Sequence, residues 1–319
     1  MSNVEKERHA TWLELFYDLI FAAAVSQIGH SLYISITSIT AFFGMVSLFF
    51  PVMWAWMGVT FYATRFKTDD LVHRLLVLLQ MVGAAALTIN IHGASGETSG
   101  NFAISYATIR AFLVIEYIRA GRKVPAARTL ANRYGQGFLI STILWLISAV
   151  IPIPIRFVLW ALALAIDVTT TFLVGRKHLH LAPNIFHLPE RMGLFTLIVL
   201  GETIFGLISS LSGHKWDMES TISIGAGLGI AFSLWWIYFD SIDGSAIRAF
   251  REKGRIGSLY NMVIHPLSSS CRPCGYRNRY KICNLIYSKY TLILYRSMVN
   301  LRFCFAMSIL NWYYPSFHS

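Results

Sequence analysis

The sequence predicts an all-α fold: a polytopic bundle of about eight membrane-spanning helices with its N-terminus in the cytoplasm. Three observations carry that expectation. Hydrophobic residues make up 55% of the chain and charged residues 13%, against roughly 25% charged in a soluble domain. The apolar residues gather into windows of about 20, the length of helix that crosses a bilayer, and only a helix satisfies every backbone group inside such a window. The basic residues between the windows alternate from one side to the other.

The windows lie at about 12–31, 40–62, 74–91, 102–119, 136–151, 155–174, 191–211 and 221–240, and a ninth is expected to begin near Leu259. The N-terminus carries Lys6 and Arg8, and the second connection Arg65, Lys67 and Arg74. The fourth carries Arg119, Arg122, Lys123, Arg128 and Arg133, the sixth Arg176, Lys177 and Arg191, and the eighth Arg248, Arg251, Lys253 and Arg255. The odd-numbered connections hold only Arg156 and Lys215. Excess Lys and Arg mark cytoplasmic loops, which puts the N-terminus and the even connections inside. The first window follows a short polar segment and has no small-residue cleavage site, so no removable signal is expected.

The first window contains Glu14 and Asp18, four apart and therefore on one helical face near the cytoplasmic end. Carboxylates this close suit proton exchange; the same pair could equally fix packing through hydrogen bonds to a neighbouring helix. Gln27 and His30 follow on a different face, so no continuous proton wire runs through this helix. In the fourth window Tyr106, Arg110 and Tyr117 share a face, with Glu116 off it. A buried guanidinium must be paired or reach water, and the candidate partners of Arg110 are Glu202 and Asp167. In the seventh window Glu202 sits in an otherwise apolar run, where a carboxylate is expensive and marks function. Arg191 and Glu202 are eleven apart, on one face and about 16 Å apart along the axis. Gly193, Gly201 and Gly206 thin this helix and let a neighbour approach closely, so Glu202 is expected against another helix or a narrow cavity. Asp240 and Asp243 read as solvated helix-end charges.

The remaining chemistry is sparse. His178 and His180 have metal-ligand character, but no carboxylate or Cys set accompanies them, so no metal is expected. No phosphate-binding Gly loop and no Ser-His-Asp pattern is present, so no cofactor is expected and an enzyme is disfavoured. Paired acids could still do acid/base work. The net charge of +11 lacks the groove-reading or aromatic pattern of a nucleic-acid binder. The basic loops are expected to set topology and to meet anionic lipid headgroups.

Two stretches carry a resemblance. Glu14-Leu-Phe-Tyr17-Asp18-Leu-Ile-Phe21, with Gln27-Ile-Gly-His30 behind it, resembles the opening E-L-F-x-D-L-x-F signature of the bacterial low-temperature-requirement A (LtrA) membrane proteins. The run from His187 through Glu190, Arg191 and Gly193 to Gly201 and Glu202 is similar to that family's second signature. The resemblance covers residues 9 to about 264 and implies a multi-pass protein of the bacterial inner membrane. It brings no substrate or reaction. His187, Glu190, Arg191 and Gly201 are its motif positions beside Glu14, Asp18 and Glu202.

The chain therefore divides into 1–264, the transmembrane bundle, and 265–319, a basic tail. The tail holds seven of the 27 Lys and Arg, none of the 16 acids and all four cysteines (Cys271, Cys274, Cys283, Cys304). Members of the resembled family would continue with apolar spans after Tyr260. The segment Pro273–Tyr280, read one base later, is compatible with Leu-Val-Gly-Ile-Gly-Ile-Gly-Ile, a sequence suited to a membrane helix. The tail is expected to be out of frame or non-native; the alternative is a genuine basic cytoplasmic tail. The functional expectation is a proton-coupled transporter or channel-like protein whose polar interior is lined by Glu202 and the Glu14/Asp18 pair, acting on an ion or small molecule that the residues do not specify. The alternative is a non-transporting sensor or stress-response (low-temperature growth) component, its basic loops meeting lipid or a partner.

Overall fold

In the computed structural model, residues 10–35, 39–66, 68–177, 187–211 and 218–243 are described. They form eight α-helices and no strand: α1 (Trp12–Ser35), α2 (Ile39–Arg65), α3 (Leu71–Ile89), α4 (Ser99–Lys123), α5 (Arg128–Val150), α6 (Ile155–Lys177), α7 (His187–Leu211) and α8 (Met218–Asp243). Each expected window falls in one helix. The ninth span, the tail 265–319, His178 and His180 lie outside the described residues.

Six helices are long and apolar enough to cross a membrane: α1, α2, α3, α6, α7 and α8. The other two, α4 and α5, have the length, 25 and 23 residues. Their composition is more polar, with Arg110, Glu116 and Arg119 inside α4 and Arg128 and Arg133 at the start of α5.

Local chemistry explains the helix ends. Thr11 and Glu14 make a reciprocal capping box at α1: the Thr11 N–H donates to the Glu14 carboxylate (2.8 Å) and the Glu14 N–H to the Thr11 hydroxyl (3.3 Å). Asp70 caps α3 by accepting the His73 N–H at 2.8 Å. This cap starts α3 three residues before the expected span, so Arg74 lies in its first turn instead of in a loop. Pro125 pushes Val124 to extended backbone, which ends α4, and a 3-10 turn over Pro125–Ala127 leads into α5. As a result Arg119, Arg122 and Lys123 belong to the last turns of α4. Pro51 sits inside α2, which membrane helices tolerate.

The chain falls into two compact units, residues 1–199 and 200–319, with the boundary inside α7. In the first, α4 packs against α2, α3 and α5, α5 against α6, and α1 against α2 and α3. Aromatic rings fill the core: Tyr106 stacks on Trp145 (4.1 Å between centroids), Trp145 on Trp160 (5.0 Å), and Tyr117 on Tyr134 (5.0 Å). The start of α7 joins this unit by stacking Phe195 on Trp56 at 4.3 Å. In the second unit α8 comes close to the end of α7, where a Cβ added at Gly227 would meet Leu207 at 2.7 Å. Ala231, Leu234 and Tyr238 line the buried side of α8, and Phe232 and Trp236 are exposed.

Candidate functional site

The charged residues of the first unit are buried in pairs. Glu14 and Asp18 on α1 face His187 and Arg191 on α7. The spacing is four residues in both helices, so the rungs match. His187 Nε2 lies 3.2 Å from Glu14 Oε2. Arg191 Nη2 pairs with Asp18 Oδ1 and also reaches the Glu14 carbonyl oxygen at 3.4 Å. Because 14 pairs with 187 and 18 with 191, α1 and α7 run in the same direction at this contact. Trp56 of α2 donates its indole N–H to Asp18 Oδ1 at 2.7 Å. All four ionisable side chains are buried. The second oxygen of Asp18, the Arg191 Nε and the Tyr17 hydroxyl are also buried and have no hydrogen-bond partner among the described residues.

Two further buried clusters surround α4. Arg110 pairs with Asp167 of α6 at 2.6 Å, both fully buried. The guanidinium carbon of Arg110 lies 4.2 Å from the centre of the Phe138 ring, and the Tyr106 hydroxyl is 3.4 Å from Asp167 Oδ2. Asp167 is one of the two partners expected for Arg110. Glu116 meets His73 Nδ1 at 2.6 Å and accepts from Gln80 at 3.2 Å. Tyr62 donates to the Glu116 carbonyl oxygen at 3.3 Å.

At the surface end of α3, Asp70 pairs with Arg119 (2.7 Å) and Lys123, and Asp69 pairs with Arg74 at 2.9 Å. The Lys123 ammonium, then the Arg119 guanidinium and the His73 backbone N–H, hold the Asp70 carboxyl well below the usual range. Hydrogen bonding from Arg74 lowers Asp69 as well.

The structure thus brings together Glu14, Asp18, His187 and Arg191, and separately Arg110 and Asp167. Glu190 is half-buried in the first turn of α7. His30 is exposed on α1 and belongs to no cluster. Glu202, in the second unit, is partly exposed and makes no hydrogen bond or ion pair among the described residues of that unit. Within the second unit, a Cβ added at Gly201 or Gly206 meets no described atom within 4 Å. Sequence reasoning passed over Trp56, His73, Gln80 and Glu116. A signal existed for His73 and Gln80, which are seven apart on one helical face. It was hidden because the expected span began after His73. Glu116 was set aside because it lies off the Arg110 face, yet that other face of α4 is buried too.

Apolar helices of membrane-crossing length with charges paired in their interior define an integral, multi-pass helical membrane protein, in contact with the lipid bilayer. Residues 9–269 match the bacterial low temperature requirement A protein (LtrA) family, and the chain belongs to it. It is similar to an uncharacterized protein of Rhizobium meliloti (strain 1021), 28% identical over 246 residues covering 72% of this chain. The matched region spans 58% of that relative's length. No solved structure matches.

Proposed function

We propose that this chain is a bacterial inner-membrane transporter or channel-like protein, coupled to protons through its intramembrane carboxylates. The observation that carries the reading is the double rung Glu14–His187 and Asp18–Arg191, four ionisable side chains buried between two helices that are apolar enough to cross a membrane. Charges in that position are expensive and mark ion or proton pathways.

The chemistry follows from the pairing. A proton arriving on the free oxygen of Asp18 neutralises the carboxylate and removes the counter-charge of Arg191. A buried guanidinium without its partner is strongly unfavourable, so α1 and α7 must separate or Arg191 must take another anion. A proton handed between Glu14 and His187 changes the neighbouring rung in the same way. Such a contact is a two-state element that proton binding biases. Arg110 and Asp167 act as a second intramembrane pair, and Glu202 and His30 are ion-coupling candidates outside the rungs.

Flux into proteoliposomes driven by a pH gradient tests the reading. Wild type should move protons or a co-ion, and Asp18→Asn should abolish the coupling. Unchanged flux in Asp18→Asn sinks the proposal, and unchanged flux in Glu202→Gln removes Glu202 from the mechanism. The exposed Arg122, Lys123 and Arg128 favour the second reading, a sensor or stress-response component that contacts anionic headgroups or a cytoplasmic partner. A crosslinked partner lost on neutralising those three residues would favour it over transport.

On the same reading residues 1–264 form the functional bundle and 265–319 an out-of-frame or non-native tail. The family match ending at residue 269 supports that division. Resequencing the locus tests it: no apolar span of about 20 residues in the shifted frame would end the frameshift idea.

A further inference from the structure

We propose that the groove between α5 and α6 holds one anionic phospholipid, its phosphate at Arg133 and an acyl chain laid against Ile166. The proposal rests on the reading that this end of the bundle faces lipid headgroups. The groove has a volume of about 490 Å³ and is open along one side. No Asp or Glu lines it. Arg133 is exposed and makes no ion pair among the described residues, so its charge is available.

The charged and polar lining residues follow one another in depth. Arg133 lies five residues into α5, about 7.5 Å along the axis, and Leu173 lies four residues before the end of α6, about 6 Å. Ile166 lies eleven residues before that end, about 16 Å and well into the hydrocarbon. Leu173 and Val174 thus lie beside Arg133 near the headgroup level, Gln136, Thr169 and Thr170 lie below it, and Ile166 lies deepest. Apart from Leu173 and Val174 beside the headgroup level, the sequence of cation, hydroxyl and amide groups, then Ile166, follows the order of groups in a glycerophospholipid. Helix packing closes the floor where a Cβ at Gly137 would overlap the Thr170 side chain. Exposure of Ala165, Thr169 and Leu173 opens the groove toward the bilayer. Basic pockets between transmembrane helices are known to take anionic headgroups.

The test uses the full chain in nanodiscs of phosphatidylcholine with a minority of phosphatidylglycerol, counting lipids retained after detergent extraction by native mass spectrometry. Wild type should keep one phosphatidylglycerol in preference to phosphatidylcholine. Arg133→Gln should lower that preference about fivefold, the equivalent of about 1 kcal/mol for one cation near the headgroups. Ala165→Phe, which fills the groove, should lower retention of both lipids. Ile143→Phe, exposed on α5 away from the groove, should change nothing. Wild-type retention in Arg133→Gln overturns the proposal, as does an equal loss in Ile143→Phe and Ala165→Phe. If Ala165→Phe fails to fold, the Arg133→Gln arm decides alone. Phosphatidylglycerol enriched around the chain but insensitive to every variant overturns the groove and leaves the headgroup reading standing. No enrichment at all overturns both.

Discussion

At the residue scale, the Asp18–Arg191 rung shows how two helices apolar enough to cross a membrane accommodate buried charge. Neither group is tolerable there alone, and each is the other's counter-charge. Removing one partner leaves an uncompensated buried ion. Asp18→Ala or Arg191→Ala should therefore lower stability by about 3–5 kcal/mol, read by thermal unfolding in micelles. A paired replacement, Asp18→Leu with Arg191→Met, should recover most of that loss; a double variant as unstable as the sum of the singles would mean the two residues do not act as a pair. Asp70 makes a different prediction because it is at the surface. Its folded-state pKa is depressed by Lys123 and Arg119. The stability it contributes is complete above the ordinary aspartate value of about 3.9 and is lost as pH falls below that value. Asp70→Asn should flatten this acid limb. High salt should weaken it in wild type, since exposed pairs are screened. A limb unchanged in Asp70→Asn would assign it to other carboxylates.

At the scale of elements, close helix approach is local and asymmetric. A Cβ added at Gly58 of α2 would overlap the Arg110 guanidinium and lie 3.1 Å from Leu113. Arg110 cannot swing away without breaking its pair with Asp167, so Gly58→Ala should cost about 1–3 kcal/mol by overpacking. Gly201→Ala meets no described atom within 4 Å and should be neutral, or stabilising by up to about 1 kcal/mol through helix propensity. Melting temperatures of the two variants check the contrast. Equal losses at both positions would mean that a neighbour also covers Gly201. The capping box at Thr11 and Glu14 adds a structural role to a residue the sequence singled out for its charge: Glu14 both starts α1 and faces His187.

At the scale of the whole molecule, orientation is the property with the most consequences. The expected orientation, with the basic connections inside, would place the turn at Pro125–Ala127 on the cytoplasmic side. A cysteine introduced as Ala126→Cys should react with a membrane-impermeant maleimide only in inverted vesicles. Labelling in intact cells would reverse the orientation. The matched rungs make the same topological demand, because α1 and α7 run in the same direction and must therefore enter the membrane from the same side. An odd number of crossings between them, such as the five of α2 to α6, satisfies this.

The helical membrane class and the approximate positions of the described helices were determined by the sequence alone. The bilayer imposes a length and an apolar composition on each span, and both are local properties of a window of residues. Family membership was legible for a related reason, since the two signatures are contiguous runs. Charge spacing within one helix was legible too: Glu14 and Asp18 share a face because of the helical period. Partnership across helices was decided only by the tertiary structure. Nothing in a single window says that Arg110 pairs with Asp167, or that Asp18 is held by Trp56 and Arg191. Those choices depend on which helices become neighbours and at what height. The same reason hid the His73–Glu116–Gln80 cluster, whose members come from two helices, one of them starting three residues earlier than its apolar content announces because Asp70 caps it.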